Sequence, residues 1–242
     1  MAEQAIKTSE RIIDLQLELT QGIKTWDIKP PFTMLPYMTA KTSAFGFNSK
    51  LLILEDHTGT HVDAPLHFYD GDFRSPRGKN IAECPLDKLI GDAVLIDVSK
   101  KKVDEPVSRH LLETRAAEQG VTIMPGDIVL IRFWPKPWGE PMDEFLDARG
   151  LELDACEWLL ERGIKAVGVD HANLEGNISE ELGNLNAPGH ELFLHPSREI
   201  LIMENLVNLD RIGSTRFRFI ALPLKIRGAT GSPIRAVAIV EE

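Results

Sequence analysis

The segment His57-Thr58-Gly59-Thr60-His61-Val62-Asp63-Ala64-Pro65-Leu66-His67 restricts the folding of this chain more than any other stretch. It holds three of the seven histidines, with an aspartate among them. Imidazole and carboxylate are ligands that zinc, manganese and iron accept. In an extended chain side chains alternate, so His57, His61, Asp63 and His67 would share one face. Thr58, Thr60, Val62, Ala64 and Leu66 would share the other, more apolar one. A straight strand rises roughly 3.3 Å per residue and would hold His57 and His61 about 13 Å apart. Ligands of one ion cannot be that distant when metal–ligand bonds are about 2.0–2.2 Å. A helix would bring i and i+4 together, but Thr58, Gly59, Thr60, Val62 and Pro65 disfavour one. A curl at Gly59, which can take backbone angles closed to other residues, brings His57 beside His61 and Asp63. The bland alternative is a polar turn whose histidines are satisfied locally.

This segment resembles the HxGTHxDxPxH signature of the metal-dependent cyclase-like hydrolases, which include bacterial kynurenine formamidases and isatin hydrolases. Further similarity follows in order along the chain: Arg11–Leu15 to an opening strand, Ile164–Asp170 to a central strand, and Met203–Leu206 and Gly231–Val237 to the closing part. The resemblance implies an α/β chain of the swivelling β/β/α type, with a mixed sheet and few helices. It also implies His57, His61 and Asp63 as ligands of a divalent metal, Zn2+ or Mn2+, and His67 as general acid/base. His67 as a fourth ligand stays open. Relatives carry a further His on a short helix and a Glu that begins a Glu-Asn-Leu-like stretch. Glu204 meets the second condition. His190 meets the first, with His195 as the other candidate. Such a pair would bind a second metal bridged by Asp63, or hold the first metal's water. In relatives an aromatic arm near the N-terminus reaches a neighbouring subunit's site, which makes Trp26 and Phe32 candidates for substrate binding.

The bulk properties bound the partners. The chain has 242 residues and a net charge of −10. One domain over residues 1–242 is expected, burying about 70–75% of the unfolded surface. The negative charge argues against nucleic acid and anionic membrane surfaces. No apolar run approaches the ~20 residues that span a bilayer, and Met1–Ile6 has no apolar signal core. A cytoplasmic location is therefore expected. Cys84 and Cys156 read as reduced, buried small hydrophobes.

Strands are expected at residues 11–19, 51–54, 93–98, 128–133, 166–169, 200–203, 216–223 and 234–240. Helices are expected from the Ser108 cap to Gln119, over 153–162, and as a turn or more over 189–195. Pro85–Gly91 reads as a turn or short helix. Residues 20–49 read as a long irregular arm that packs against another subunit, giving a homodimer or homotetramer. Residues 134–150 read as a second irregular loop, and 171–189 as loop. Trp26, Phe32, Trp134 and Trp138 in these loops either line an apolar pocket or anchor the loops to the core. Gly228–Gly231 shapes a hairpin, His110 is a surface residue and His171 a polar loop residue.

The expected function is hydrolysis of an amide, lactam or related carbonyl bond in a small-molecule substrate. A metal held by three protein ligands keeps a position for water and lowers its pKa toward about 7. No Gly-x-Ser-x-Gly nucleophile motif and no phosphate-binding glycine loop compete with this reading. The alternatives are a polyketide- or sugar-type cyclase or dehydratase using the same metal, and a non-catalytic metal-binding module.

Overall fold

A computed structural model of the chain describes residues 9–23, 29–176 and 187–241. The strands are β1 (Glu10–Asp14), β2 (Thr33–Met38), β3 (Ser49–Ile53), β4 (His61–Asp63), β5 (Ile90–Asp97), β6 (Ile128–Arg132), β7 (Ala166–Val169), β8 (Leu201–Glu204), β9 (Arg216–Ile220), β10 (Gly231–Pro233) and β11 (Val237–Glu241). The helices are α1 (Arg109–Glu118), α2 (Met142–Asp147), α3 (Leu153–Glu161) and α4 (Pro188–Leu194). Among the described residues, nine strands form one sheet in the order β1-β11-β9-β5-β6-β7-β8-β4-β10. Strands β5 to β8 are parallel; every other pairing is antiparallel.

The parallel strands are short apolar runs because both of their faces are covered. Val94, Ile96, Val129, Ile131, Val167 and Ile202 point into a core shared with Leu112 of α1 and Cys156 and Leu159 of α3. The alternate residues Ala93, Ile128, Leu130, Ala166, Leu201 and Met203 point into a second core. That core also takes Ile13 of β1, Val62 of β4, Phe217 and Phe219 of β9, and Ala238 and Val240 of β11. The sheet curls so that its two ends share this core. Helix α1 begins where expected, with Ser108 Oγ accepting the Leu111 N–H at 3.3 Å. Cys84 and Cys156 are free and buried, and burial pushes the Cys84 thiol up to about 12. Among the described residues no helix is long and apolar enough to cross a membrane.

The structure corrects several expected boundaries. The arm at 20–49 is not irregular throughout. Its second half contains β2, which pairs antiparallel with β3 in a separate two-stranded sheet. Thr33-Met34-Leu35-Pro36-Tyr37-Met38 carries no clean alternation of apolar and polar residues, because both faces of this hairpin are largely exposed. The loop at 134–150 contains α2, whose Phe145 is fully buried. The first strand stops at Asp14, and the last two are shorter than expected, with β10 standing apart from β11.

Candidate metal centre

The motif curls at Gly59. Glu55 and Thr58 close a turn in which the Thr58 N–H donates to Glu55 O at 3.0 Å and the Glu55 N–H to Thr58 Oγ1 at 3.1 Å. Gly59 then adopts φ +68°. That conformation favours glycine, and a Cβ there would also push Leu19 Cδ2, 2.5 Å away, out of its place. His57 folds back until its Nδ1 stands 2.6 Å from Asp63 Oδ1, with its ring centroid 5.0 Å from that of His61. Gly231 permits this approach, since a Cβ there would be 2.7 Å from His57 Cε1. On the opposite face Thr60 ties the segment down, accepting the Leu17 N–H and donating to Asn205 O. Pro65 opens a single 3-10 turn through His67. That turn stacks the His67 ring over His57 with centroids 4.0 Å apart.

Two further donors arrive from elsewhere in the fold. β4 pairs antiparallel with β8, and His61 lies directly opposite Glu204. Their Nε2 and Oε2 atoms are 3.4 Å apart. His190, in the first turn of α4, places Nε2 3.2 Å from Glu204 Oε1 and 3.5 Å from Asp63 Oδ2. Nε2 of His61 is 3.4 Å from Asp63 Oδ1. Ligands arranged tetrahedrally at about 2.0–2.2 Å from an ion are about 3.3–3.6 Å from one another. The donor set fits a divalent cation on that criterion. It fits on a second one: among the described residues His61 Nε2 and Asp63 Oδ2 are buried and have no hydrogen-bond partner, a costly arrangement unless something else satisfies them.

The outer atoms of the donors are held by hydrogen bonds. His61 Nδ1 contacts Gly59 O at 2.8 Å, which leaves Nε2 facing the cluster. His57 Nε2 lies 2.8 Å from Thr230 Oγ1. Thr230 in turn donates its hydroxyl to Asp56 Oδ2 at 2.9 Å, and the Thr230 and Gly231 N–H groups donate to the same oxygen. His190 Nδ1 meets Glu175 Oε2 at 2.7 Å, while Glu175 Oε1 accepts the backbone N–H of Gly189 and His190. Glu204 Oε1 accepts the Leu174 N–H at 2.8 Å. Such contacts fix ring orientation and ligand basicity in metal sites. His171 is fully buried; its ring nitrogens meet Phe145 O and Asn173, which braces the loop carrying Leu174 and Glu175.

The cluster attracts positive charge. Burial disfavours a charged His61 ring, but the Asp63 and Glu204 carboxylates outweigh it and raise the pKa to about 9. His190 is also raised well above its usual value: Glu175, Asp63 and Glu204 overcome burial. Glu204 is held down at about 2 despite burial, by His190 and His61. Asp63 is likewise held well below the usual carboxylate range, by His57, His190 and His61. His67 behaves oppositely. It is exposed, and the surface it exposes borders a cavity walled by protein. Removal from bulk water, with His57 and His190 adding repulsion, pushes it down to about 3. No hydrogen bond to its ring nitrogens occurs among the described residues.

A cavity of about 390 Å³ opens over the cluster. His57, His61, His67, His190 and Glu204 line it, with Phe68, Ala172, Ala187 and Pro30 as apolar wall and Lys29, Glu55 and Asn173 as further polar lining. The structure thus brings together His57, His61, Asp63, His67, His190 and Glu204. It sets His195 apart, bonded to Ser197 Oγ at 2.8 Å and packed on Tyr69. Phe32 is buried and does not line this cavity. Trp134 and Trp138 anchor their loop by packing on Phe145, and Trp26 lies outside the described residues. Sequence reasoning passed over Asp56, Glu175 and Thr230. Asp56 adjoins the motif and Thr230 sits in a singled-out glycine turn, but nothing local in Leu174-Glu175-Gly176 marks Glu175.

Residues 13–176, well over half of the chain, match the profile of the family described as "Putative cyclase". Kynurenine formamidase of Bacillus cereus is 34% identical over 232 residues, covering 96% of this chain and 98% of that protein. An isatin hydrolase solved with the product analogue thioisatinate superposes with a TM-score of 0.80 at 25% identity, over 96% of this chain and 93% of that one. Isatin hydrolase A from Labrenzia aggregata, bound to benzyl benzoate, gives 0.80 at 26% identity, over 96% and 94%. The swivelling fold expected from the sequence is therefore present, and with its metal-ligand cluster the chain belongs to the cyclase family as one of its hydrolases.

Proposed function

We propose that this chain cleaves the carbonyl C–N bond, or a related C–O bond, of a small molecule such as an arylformamide or a lactam. It does so at a divalent metal held by His57, His61 and Asp63. The observation that supports this best is that His61 Nε2 and Asp63 Oδ2 are buried without a hydrogen bond among the described residues, beside an apolar-walled cavity. The names of the relatives support the substrate class: a formamidase at 34% identity, and hydrolases of isatin, a cyclic amide, by structure. His190 and Glu204 would help to hold a divalent ion beside Asp63 or would orient the attacking water. Zn2+ and Mn2+ both suit imidazole and carboxylate donors.

A bound divalent ion supplies an acidified water and polarises the carbonyl. The chain's own residues do the rest. Phe68, Pro30, Ala172 and Ala187 exclude water from the bound substrate. His67 lines the cavity, and its ring nitrogens make no hydrogen bond among the described residues. It accepts the proton of the attacking water and returns it to the leaving nitrogen or oxygen. Glu175 and Thr230 keep His190 and His57 in orientation.

His67→Ala tests the division of roles. It should keep its metal and lose turnover by about 10²–10⁴-fold on a panel of formamides, lactams and esters. His57, Asp63 and His67 also lie close enough together to share an ion, so a metal-free His67→Ala protein would make His67 a ligand instead.

The proposal extends to assembly. The β2–β3 hairpin exposes Leu35, Tyr37, Leu51, Leu52 and Ile53, an apolar surface of the kind that marks an interface. Packing against a second copy gives a homodimer or homotetramer.

A further inference from the structure

Lys29 has no part in the metal cluster, yet it stands on the cavity wall. It is the only lysine or arginine on that lining among the described residues. Its side chain is 16% exposed, so most of it is buried against the motif turn. Its Nζ donates to His57 O at 3.0 Å, which seats it at the motif turn, next to the donors. The nearest carboxylate, Glu55, is 3.8 Å away, beyond hydrogen-bond distance, and its side chain is 31% exposed. An ammonium carries three N–H donors. One is spent on His57 O, and the described residues leave the others without a hydrogen bond. A cation in this condition gains from an anion that enters the cavity.

The rest of the lining limits which anion fits. Glu55 and Glu204 share the wall with Lys29, and Asp63 lies just behind it. A single ammonium compensates a single negative charge, while a dianion such as a phosphate ester would face these carboxylates uncompensated. The apolar wall of Phe68, Pro30, Ala172 and Ala187 suits a ring. We propose that Lys29 determines substrate specificity by binding a carboxylate that the substrate carries close to its scissile carbonyl, as on the ring of an aryl amide. This rests on the hydrolase reading above. The competing role is a latch that holds the motif turn through His57 O.

The test uses the metal-loaded full chain and two probes, formanilide and N-formylanthranilate, which differ by one ring carboxylate. The wild type should prefer N-formylanthranilate. Lys29→Met should reduce that preference by about 10- to 100-fold, mainly in KM, the range expected for one charge-assisted hydrogen bond. Lys29→Arg should restore most of it. Glu55→Gln, which removes the competing carboxylate, should increase it. An equal KM for both probes in the wild type, or a preference unchanged in Lys29→Met, overturns the inference and leaves the hydrolase reading standing. So does loss of metal from Lys29→Met, read by elemental analysis, which assigns the latch role. If the wild type hydrolyses neither probe nor any member of the panel of formamides, lactams and esters, the hydrolase reading fails. With neither probe hydrolysed, calorimetric binding of anthranilate decides: loss in Lys29→Met supports the carboxylate site, and no binding to the wild type, or equal binding to both, overturns it.

Discussion

Two adjoining regions of this chain invert the usual distribution of polar and apolar residues, in opposite senses. In the cluster, His57, His61, Asp63 and Glu204 are 1–4% exposed. A few residues upstream, Tyr37, Phe45 and Leu52 of the hairpin are 71%, 73% and 52% exposed. Buried charge and exposed apolar surface are the two informative departures from ordinary burial. Each marks a surface shaped for something beyond the fold. In the cluster the missing element is positive charge, as the raised His61 and His190 and the lowered Asp63 and Glu204 show. In the hairpin it is apolar area. On the proposals above a cation would balance the first and a second copy of the chain would cover the second, and the two should respond independently to substitution.

The largest effect should follow from breaking the cluster. His61→Ala or Asp63→Asn should remove most bound divalent metal and reduce turnover to background, because each supplies a bond in a site with few ligands. His190→Ala and Glu204→Gln should impair activity severely and His195→Ala should not. Full metal occupancy in His61→Ala, measured by elemental analysis, would sink the assignment. Next comes the relay behind His57. Thr230→Val removes the hydroxyl's contacts to His57 Nε2 and Asp56 Oδ2, leaving the backbone N–H donors to Asp56, and should weaken metal affinity about 10- to 100-fold. Thr230→Ser should recover it. Identical competition against a chelating dye by wild type and Thr230→Val would leave the relay without a role.

The hairpin should respond in mass and not in metal content. Leu52→Lys places a charge in its apolar surface. Light scattering at micromolar concentration should show a shift from the oligomer to the monomer with metal content preserved. A wild type that is already monomeric would end the comparison on that side.

The smallest effect contrasts two buried acids. Burial raises Asp170 to about 7 against the Phe133 and Trp134 N–H donors and the charge of Arg132, whereas Glu204 beside His190 and His61 is held at about 2. The folded-state value of Asp170 lies above the unfolded value of about 3.9. Its contribution to stability is therefore full below that value and is lost as pH rises through about 7. Asp170→Asn should gain thermal stability relative to wild type between pH 5 and pH 8. The same difference in Tm at both pH values would show that the carboxyl is not held protonated.

Much of the site was legible because its chemistry is concentrated in eleven consecutive residues. Spacing, together with Gly59, required a curl, and the curl is present. Resemblance carried the reading on to His190 and Glu204, and tertiary placement separates His190 from His195. Glu175 was not legible. Its importance arises from a loop after β7 meeting α4, and no local pattern encodes that meeting.

From the sequence alone came the cluster of candidate ligands at His57, His61 and Asp63, the apolar strands of the sheet interior and the capped helix after Ser108. These depend on residue type and on interactions between near neighbours, which sequence records directly. Only the tertiary structure decided that β4 pairs with β8 in the register that sets His61 opposite Glu204, and that the arm folds into an exposed hairpin. It alone placed Lys29 on the cavity wall. Strand register and loop contacts depend on which distant surfaces fit together, a property of the packed chain that no single segment carries.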